Sequence, residues 1–360
     1  MFDPEGDVWY GIPEFNILAK NITVTGFSPL FPDAHCTANG EVCQVVTGES
    51  EINAATTITA LMLSPAFDLT STYFLIAGIA GINPEIATIC SVTFARYAIQ
   101  VALQYEFDAR EMPSNFTTGY VPQGAHSPTE YPPVIYGTEV FEVNEKLRDI
   151  AIGFASTAAL NDSETAIGYR AKYKTAPLYA AAAMPPSVIA CDVATSDVYY
   201  SGALLSEAFA NFTTLITNGT GVYCSTAQED NASLEAMTRA AKAGLVDFSR
   251  IIVMRTASDF DRPYPGESPG QNLWYIDQGA FEPALQNIYL AGIKVVMGIL
   301  DGWDSTFAKG VKADNYIGDI FGTLGGSPDF GPYTVSDNPV TKRGLGRNLR
   351  KRSGKATISM

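Results

Sequence analysis

The sequence predicts an α/β domain built around a mostly parallel sheet. Short apolar runs typical of buried strands recur along the chain, and several lead directly into glycine-containing or polar turns. In α/β folds such turns gather at one edge of the sheet, where small molecules bind. With 360 residues, 46% of them hydrophobic and 17% charged, the chain is able to bury a large core, which argues against a disordered protein.

The first elements repeat the order strand, glycine turn, helix. Residues 41–48 are predicted to form a strand that ends at Gly48, and residues 51–63 place apolar side chains at helical spacing. Residues 73–77 are predicted to form a short buried strand that leads into a turn at 78–81. This repetition is what a mostly parallel sheet requires.

The middle of the chain is predicted to be an insertion. From 113 to 133 the composition shifts to Pro, Gly, Ser, Thr and Tyr, which indicates an irregular surface segment, and residues 139–174 carry a helical pattern that a polar loop interrupts. We therefore expect an insertion at about 109–186. Buried strands are predicted to follow it at 188–193 and 249–254.

The last predicted element is an amphipathic helix at 281–300, and the periodicity fades after about residue 332. We expect one domain over 1–332 and a basic, solvated tail over 333–360, with a nucleic-acid or targeting patch as the alternative for that tail. The formal charge is −15, but seven basic residues fall in the last nineteen positions, so 16 basic against 38 acidic residues leave −22 for residues 1–341. That charge would repel nucleic acid and anionic membranes.

Cysteines and sequons predict a secreted or cell-surface glycoprotein that has passed through the secretory pathway. Cys36 and Cys43 flank an Asn-Gly turn and are able to close a small disulfide loop, and Cys191 and Cys224 are predicted to pair across the fold, which leaves Cys90 free. The alternative is five buried reduced thiols, because sequence does not fix disulfide connectivity. The Asn-x-Ser/Thr sequons are at Asn21, Asn115, Asn161, Asn211, Asn218 and Asn231.

A transmembrane helix is not predicted in this chain. Such a helix needs roughly twenty consecutive apolar residues. The best candidate, residues 73–94, is interrupted by Asn83, Pro84 and Glu85, so we interpret it as a buried strand, a turn and a second element.

Polar side chains able to do chemistry are concentrated in five short segments. The chain has only two histidines, which disfavours a Ser-His-Asp triad and a His-rich metal site. Carboxylate side chains are therefore the expected catalytic groups. We expect neither a metal nor a cofactor. The segments, in chain order, are 48–53, 78–81, 197–202, 226–230 and 258–259.

Together and in this order, these segments resemble the nucleoside phosphorylase and nucleosidase superfamily. The chain as far as about residue 332 most closely resembles the fungal purine nucleoside permease family. This resemblance implies a nucleoside-phosphorylase-like three-layer fold, with a central mixed, mostly parallel sheet flanked by helices, and a role in purine nucleoside uptake. The stretches that carry it are Met-Phe-Asp-Pro-Glu at 1–5, Trp-Tyr-Gly-Ile-Pro-Glu-Phe at 9–15, Gly-Glu-Ser-Glu-Ile-Asn-Ala-Ala at 48–55 and Ala-Gln-Glu-Asp-Asn at 227–231.

The resemblance also implies a first strand that the sequence does not show. A domain of this class opens with a buried strand, whereas residues 2–6 are loop-like and carry neither a basic nor an apolar leader segment. We therefore expect a leader and the first strand to be missing. A rearranged sheet edge is the alternative.

Asp259 is the candidate acid for cleaving a purine N-glycosidic bond, which needs a proton or hydrogen-bond donor at N7 of the leaving base. The pair Ser258 and Asp259 is similar to the superfamily's Ser-Asp signature, in which the aspartate faces the purine. Asp261 is an alternative acid. An ordinary strand-end aspartate that caps the next element is the structural alternative.

Glu229 is the candidate for holding the 2′- and 3′-hydroxyls of ribose, a role implied by the resemblance of its segment to the family's strand-to-helix motif. Thr226 and Glu229 also have the spacing of a capping box, which explains the glutamate equally well without a ligand. Gln228 stands where the family has Met. The resemblance further implies that Tyr199, with Tyr200 as its neighbour, stacks on the purine, with surface packing as the alternative.

The glycine segments are expected near the sugar. Gly78, Ile79 and Gly81 match the superfamily's Gly-x-Ala-Gly turn, which passes close to the sugar and the nucleophile, since small residues let the backbone approach a ligand. A purely structural turn is the alternative. In the segment 48–53, Glu49 or Glu51 is the residue expected to face the pocket.

Phosphate is disfavoured as a cosubstrate. The superfamily's phosphorylases bind phosphate through arginines from early turns, whereas the first arginine here is Arg96. If the site cleaves its ligand, water is the expected nucleophile and Glu5 is the candidate general base.

Three functions are compatible with the sequence. The first is a soluble purine nucleoside-binding protein that serves uptake together with a separate membrane transporter, and the second is a purine nucleosidase, with a phosphorylase less favoured. The third is a non-catalytic interaction protein. The resemblance also implies pairing of subunits as a homodimer or higher homo-oligomer.

Overall fold

The structure of the protein is a computed structural model that describes residues 2–330. The predicted tail at 333–360 lies outside these residues. The helices are α1 (Asp3–Asp7), α2 (Glu51–Leu63), α3 (Glu145–Ala155), α4 (Glu164–Arg170), α5 (Ala203–Ile216), α6 (Asp230–Lys242), α7 (Pro269–Trp274) and α8 (Phe281–Asp301).

The strands alternate with these helices along most of the chain. They are β1 (Lys20–Thr23), β2 (Asp33–Cys36), β3 (Cys43–Val45), β4 (Phe74–Ile82), β5 (Val92–Ala95), β6 (Tyr97–Gln100), β7 (Gln104–Glu106), β8 (Tyr120–Pro122), β9 (Val140–Glu142), β10 (Val188–Ala190), β11 (Asp192–Thr195), β12 (Tyr223–Ala227), β13 (Ile251–Phe260) and β14 (Gly318–Asp319).

One large mixed sheet forms the centre of the molecule, in the order β10-β5-β13-β4-β12-β11-β6-β9-β14. Its longest ladder is parallel and joins β4 to β13 along the whole of β4. By contrast, β4 and β12 run antiparallel and pair only at Gly81 and Ile82 among the described residues. The predicted α/β class with a central mixed sheet is confirmed.

Helices cover both faces of this sheet, because successive apolar residues of its central strand point to opposite faces. Ile251 and Val253 of β13 pack in a cluster with residues of α2 and α6. Ile252 and Met254 pack in a second cluster with residues of α3 and α8. All four side chains are at most 1% exposed, so the strand is buried on both sides and the fold has three layers.

The glycine segment 78–81 lies inside a strand, so the prediction of a turn there was wrong. β4 continues to Ile82 because its parallel pairing with β13 extends to Phe260. The next element is β5, a further strand of the same sheet, in place of the predicted helix.

Most of the other predicted elements are present. The helix predicted at 51–63 is α2, and the helix predicted at 281–300 is α8 with one further residue. The strand predicted at 188–193 is divided into β10, which pairs with β5, and β11, which pairs with β6 and β12.

The stretch predicted to be an insertion mixes irregular and regular structure. Residues 113–133 are irregular apart from β8, as predicted. The helical pattern predicted from 139 begins only at α3, because Val140–Glu142 forms β9 and pairs with β6 of the central sheet. The boundaries of the domain and of the insertion stay predictions.

Both predicted disulfides are present. Cys36 is bonded to Cys43 and joins β2 to β3, and Cys191 is bonded to Cys224 and joins the start of β11 to β12. Cys90 is a buried free thiol. The alternative of five reduced cysteines was therefore wrong.

Within residues 2–330, α8 is the one helix long and apolar enough to cross a membrane by length and composition. Half of its apolar window is buried inside the fold, where the helix packs against β13 and α3. The core helix of a folded domain passes the same test. The segment 73–94, the best candidate from sequence, forms β4, a turn and β5 as expected.

Candidate functional site

The candidate residues converge where β4, β12 and β13 meet. Asp259 of β13 lies opposite Gly81 of β4, and Gly81 lies opposite Thr226 of β12. A methyl group on Gly81 would clash with Oγ1 of Thr226 and would lie 3.5 Å from Oδ2 of Asp259. The glycine therefore keeps the space beside the Asp259 carboxylate open.

Asp259 is a half-buried carboxylate near the end of β13. Burial raises its pKa to about 6, with a further increase from the like charge of Asp261, although hydrogen bonds from Ser258 and Tyr199 work in the opposite direction. The Ser258 hydroxyl donates to Oδ1 of Asp259 at 2.7 Å. A carboxyl with this pKa is able to donate a proton near pH 6.

Tyr199 and Tyr200 have different surroundings. The Tyr199 side chain is 65% exposed, and the negative charge of Asp259 raises the pKa of its phenol, which places the hydroxyl close to that carboxylate. The Tyr200 hydroxyl lies 3.0 Å from the Tyr223 hydroxyl, and its ring packs against Phe209. Tyr199 therefore stands beside Asp259, whereas Tyr200 belongs to the core.

Asp261, the alternative acid, is engaged in a buried network. It is 2% exposed and accepts hydrogen bonds from Nε of Arg262 at 2.9 Å and from the Tyr223 hydroxyl at 2.7 Å. Arg262 extends the network to Glu85 at 2.8 Å. The oxygens of this carboxylate are therefore already engaged by a guanidinium and a phenol.

Glu229 lies in a buried group of charges. The guanidinium of Arg255 contacts a Glu229 carboxylate oxygen at 3.1 Å and an Asp230 carboxylate oxygen at 2.8 Å, and Arg255 is 3% exposed. Burial by itself would raise the pKa of Glu229, but the Arg255 charge lowers it below its ordinary value. Glu229 is therefore ionised at neutral pH and is able to accept hydrogen bonds from hydroxyl groups.

The capping box predicted for Thr226 and Glu229 is not formed. Thr226 belongs to β12, and α6 begins at Asp230 with Glu229 in the N-cap position and with no side-chain capping hydrogen bond. Glu229 is thus oriented by Arg255 and not by the helix terminus. Gln228 is half-buried in the connection between β12 and α6.

Glu5, Gly78 and Ile79 form the other end of the group. Oε1 of Glu5 accepts a hydrogen bond from the Ile79 backbone N–H at 2.6 Å, and Glu5 is 3% exposed. A methyl group on Gly78 would lie 2.8 Å from this same oxygen and 2.5 Å from Nη1 of Arg255. Glu5 and Arg255 therefore both lie directly against the β4 backbone at Gly78.

The structure thus places the candidate residues in two groups along β4. One group, at Gly81, contains Ser258, Asp259 and Tyr199; the other, at Gly78, contains Glu5, Glu229 and Arg255. Three residues of an extended strand separate the groups by about 10 Å. A carboxyl with a raised pKa at one end and, at the other, the Glu229 carboxylate, which is able to accept hydrogen bonds from hydroxyl groups, suit a ligand with an aromatic base and a polyhydroxylated sugar.

Glu51, the first residue of α2, contributes a further carboxylate near these groups. Its backbone N–H donates to Oδ1 of Asp197 at 2.9 Å, and the Glu51 carboxylate accepts a short hydrogen bond from Gln100. Burial raises the pKa of Glu51 to about 6, with further increases from Asp197 and Glu229. Glu49, by contrast, is exposed.

Arg255 is the functional candidate that sequence reasoning missed. The signal was present, because an arginine in the middle of an apolar strand buried on both faces requires a buried anionic partner. No group of three or more metal-binding side chains is found within residues 2–330, and the two histidines lie apart, His35 on β2 and His126 in an exposed loop.

Comparison with known proteins gives one family. The model of the family described as "Purine nucleoside permease (NUP)" matches residues 1–312. The chain is 49% identical over 336 residues to a purine nucleoside permease of Candida albicans, which covers 92% of this chain and 81% of the relative. It is 40% identical over 311 residues to a probable purine nucleoside permease of Schizosaccharomyces pombe, with coverages of 84% and 88%.

Solved structures are similar at a greater distance. A 5′-methylthioadenosine/S-adenosylhomocysteine nucleosidase from Colwellia psychrerythraea, in complex with adenine, aligns with a TM-score of 0.45 and 14% identity, over 82% of this chain and 91% of that one. A futalosine hydrolase of Helicobacter pylori aligns with a TM-score of 0.44 and 14% identity, over 82% and 92%. Because the identity and the TM-scores are this low, we infer no activity from these structures.

Proposed function

Because the chain belongs to the purine nucleoside permease family, we propose that it binds purine nucleosides in the course of nucleoside uptake. The binding pocket lies along β4, with the base beside Asp259 and Tyr199 and the ribose beside Glu229. A separate membrane transporter completes uptake, with this protein as the component that captures the nucleoside.

The observation that supports the proposal is a pair of carboxyl groups near β4 whose pKa values are shifted in opposite directions, Asp259 beside Gly81 and Glu229 on the Arg255 guanidinium beside Gly78. Burial raises the pKa of Asp259 to about 6, whereas Arg255 overcomes the effect of burial and lowers the pKa of Glu229. A protonated carboxyl donates to an acceptor such as purine N7, and an ionised carboxylate accepts from ribose hydroxyls. These shifts support the roles that the resemblance implies, because Asp259 holds a proton below about pH 6 whereas Glu229 is ionised there.

Purine N-glycoside hydrolysis is the second candidate function. The raised pKa of Asp259 suits a general acid, and Glu5, hydrogen-bonded to the Ile79 backbone, is the candidate base for water. Phosphate is the less favoured nucleophile. The guanidinium of Arg255 is already paired with Glu229 and Asp230, so that its charge is neutralised before any phosphate approaches.

The test separates binding from cleavage. The protein is incubated with adenosine, inosine and guanosine, with and without phosphate, and free base is followed by chromatography while binding is measured by calorimetry. Binding of purine nucleosides with uridine excluded supports capture, and base release that is equal with and without phosphate supports hydrolysis. Failure to bind any purine nucleoside would refute the proposal.

The Asp259→Asn variant tests the acid directly. Asparagine keeps the shape of the side chain but has no proton to transfer, so we expect base release to fall at least about 100-fold, as for loss of a general acid. Binding should change by less than about tenfold. The matched control is Asp304→Asn, an exposed aspartate far along the chain from the site, which should leave both measurements unchanged.

We further propose that the protein is a secreted or cell-surface glycoprotein. The two disulfides within residues 2–330 suit an oxidising compartment. Asn21, Asn115, Asn211 and Asn218 are exposed, whereas Asn231 is 2% exposed and bonded to Thr195. Treatment of secreted protein with a glycosidase should therefore release glycans from exposed sequons, while the Asn231 peptide should be found unmodified by mass spectrometry.

A further inference from the structure

A buried amide on α7 connects the segments that carry Asp259 and Tyr199. Asn272 is 5% exposed, and its Nδ2 donates to the backbone oxygen of Phe260 at 3.1 Å and to the Ser201 hydroxyl at 3.0 Å. Phe260 follows Asp259 directly, and Ser201 lies two residues after Tyr199. One side chain therefore joins the backbone beside the candidate acid to the backbone beside the candidate stacking ring.

The orientation of this amide is fixed, because each of its polar atoms has a partner. Nδ2 has two protons and two acceptors, the oxygens of Phe260 and Ser201. Oδ1 accepts from the Tyr169 hydroxyl at 2.6 Å and from Nε2 of Gln278 at 3.2 Å. A rotated amide would direct its oxygen at the Phe260 carbonyl, where neither atom is able to donate. The Asn272 side chain is therefore held in one orientation by four hydrogen bonds.

The end of β13 depends on this support because the sheet is irregular there. The register of β13 against β4 shifts around Ser258, which makes that residue a β-bulge. On its other edge β13 pairs with β5 only at earlier residues, as far as the structure describes the chain. The N–H of Phe260 instead donates to Oε1 of Gln278 at 2.8 Å, and its C=O accepts from Asn272. Two side-chain amides thus replace a neighbouring strand directly after Asp259.

Tyr199 lies between two anchored residues of the connection from β11 to α5. Asp197 accepts a hydrogen bond from the backbone of the first residue of α2 at 2.9 Å, and Ser201 is bonded to Asn272. The Tyr199 side chain is 65% exposed, so contacts with the core do little to fix it. The hydrogen bond between Ser201 and Asn272 therefore contributes to how closely Tyr199 approaches Asp259.

We propose that Asn272 is a positioning residue, which sets the separation of Tyr199 from Asp259 through its hydrogen bonds to Ser201 and Phe260. The inference rests on the proposed function, in which Tyr199 and Asp259 hold the purine base. Asn272 acts through the backbone of both segments and not by contact with the nucleoside. A buried amide with all its hydrogen bonds made suits this role, because it is directional and rigid.

The test compares Ser201→Ala, which removes one hydrogen bond of Asn272, with Ser201→Thr, which keeps the hydroxyl. The segment that carries Tyr199 stays attached in both variants, because the Gly202 N–H donates to the residue after β13 at 3.0 Å. The matched control is Ser249→Ala, which removes a hydroxyl hydrogen bond of 2.7 Å next to the start of β13. It makes the same substitution at the opposite end of the same strand.

The first readout is the pKa of the Asp259 carboxyl, measured by NMR titration of the protein without ligand. Hydrogen bonds from Ser258 and Tyr199 lower this pKa, whereas burial and the charge of Asp261 raise it. If Tyr199 moves away in Ser201→Ala, the pKa should rise above about 6 by at least about 0.5 pH unit. It should be unchanged in the threonine variant and in the control.

The second readout is the calorimetric binding of inosine. Ser201→Ala should weaken binding at least about fivefold, the effect of about one lost hydrogen bond, and Ser201→Thr should restore it. An unchanged pKa of Asp259 in Ser201→Ala, or an equal rise in Ser249→Ala, would overturn the inference. Failure of the parent protein to bind inosine would refute the proposed function instead, and the two failures are distinguishable because the pKa readout needs no ligand.

A double-variant cycle assigns the effect to Asn272. In the Asn272→Ala background the partner of the Ser201 hydroxyl is gone, so that Ser201→Ala should cause no further rise in the pKa of Asp259 and no further loss of binding. An effect as large as in the parent would show that Ser201 acts independently of Asn272 and would contradict the inference. If Asn272→Ala does not fold, the comparison of the two Ser201 variants decides.

Discussion

The surroundings of Asp259 and Glu229 shift the pKa values of these two carboxyl groups in opposite directions. Asp259 is half-buried beside a like charge, and burial raises its pKa to about 6. Glu229 is more deeply buried, but the adjacent guanidinium of Arg255 lowers its pKa. Opposite shifts of this kind are what we expect if Asp259 acts as the acid and Glu229 as the hydrogen-bond acceptor.

The pH dependence of base release follows from Asp259. Its pKa is higher in the folded chain than in the unfolded chain, so the protonated form is retained up to about pH 6. If the protein cleaves nucleosides, release should be maximal below pH 6 and should fall about tenfold for each pH unit above it. The same shift means that the contribution of Asp259 to stability is greatest below its ordinary pKa and is lost as the pH rises through about 6.

Glu51 provides the control for that profile, because burial also raises its pKa to about 6. The Glu51→Gln variant should keep the fall in base release above pH 6. Disappearance of the fall in this variant would assign the titration to Glu51 and contradict the role of Asp259.

Arg255→Met should destabilise the fold strongly. The substitution leaves the carboxylates of Glu229 and Asp230 buried without their guanidinium, which costs about 3–5 kcal/mol in comparable buried pairs. The free energy of unfolding is measured by guanidinium chloride titration. The matched control is Arg239→Met, whose exposed pair with Glu235 is worth about 0.5 kcal/mol, and equal losses in the two variants would contradict the account.

Motifs identified some of these residues from sequence, but not their partners. Asp259 and Glu229 were predicted because each stands in a short recognisable segment at the end of a strand. The pairing of Glu229 with Arg255 was not predicted, since it depends on β12 and β13 lying on either side of β4. Thr226 and Glu229 have the spacing of a capping box, but the box does not form because Thr226 belongs to β12.

At the scale of elements, β4 determines the geometry of the site. At two of its glycines, Gly78 and Gly81, an added side chain would meet Arg255 and Glu5 or Thr226. Local sequence predicted a turn at these glycines, because a glycine pair is typical of turns. The long parallel ladder with β13 holds them extended instead, and such a ladder is not visible from local periodicity.

Gly78→Ala should therefore impair both ligand binding and stability. The added methyl group would lie 2.5 Å from Nη1 of Arg255 and 2.8 Å from Oε1 of Glu5, so that one of the two must move. We expect binding of purine nucleosides, measured by calorimetry, to weaken at least tenfold.

The matched substitution is Gly153→Ala in α3, where an added methyl group has open space. It should leave binding unchanged and raise the free energy of unfolding by about 0.5–1 kcal/mol, since alanine is the better helix former. A Gly78→Ala protein that binds as tightly as the parent would show that β4 does not line the ligand site.

At the scale of the whole molecule, the two disulfides close chain segments of different length. The Cys191–Cys224 bond closes a separation of 33 residues between two strands of the central sheet, and the Cys36–Cys43 bond closes 7 residues in a small outer sheet. Loop-closure entropy predicts contributions of about 4 and about 2 kcal/mol. Thermal unfolding of the two double-serine variants should show the larger loss for Cys191 and Cys224, and the reverse order would contradict this assignment.

Composition and periodicity predicted the α/β class, because apolar runs and helical spacing report burial directly, whereas the three layers were implied by the resemblance. The bounds of α2 and α8 were predicted almost to the residue, because in both helices the buried side chains recur at helical spacing. The short antiparallel pairing of β4 with β12 is not visible in composition or periodicity, because it joins residues far apart along the chain.

We propose that a purine nucleoside lies along β4 between the Asp259 group and the Glu229 group. A crystal structure of the protein with inosine or a non-hydrolysable analogue would test this placement. We expect the base within hydrogen-bond distance of Asp259 and beside Tyr199, with the ribose hydroxyls at Glu229. A nucleoside bound elsewhere, with these side chains more than one water molecule away from it, would refute the proposed site.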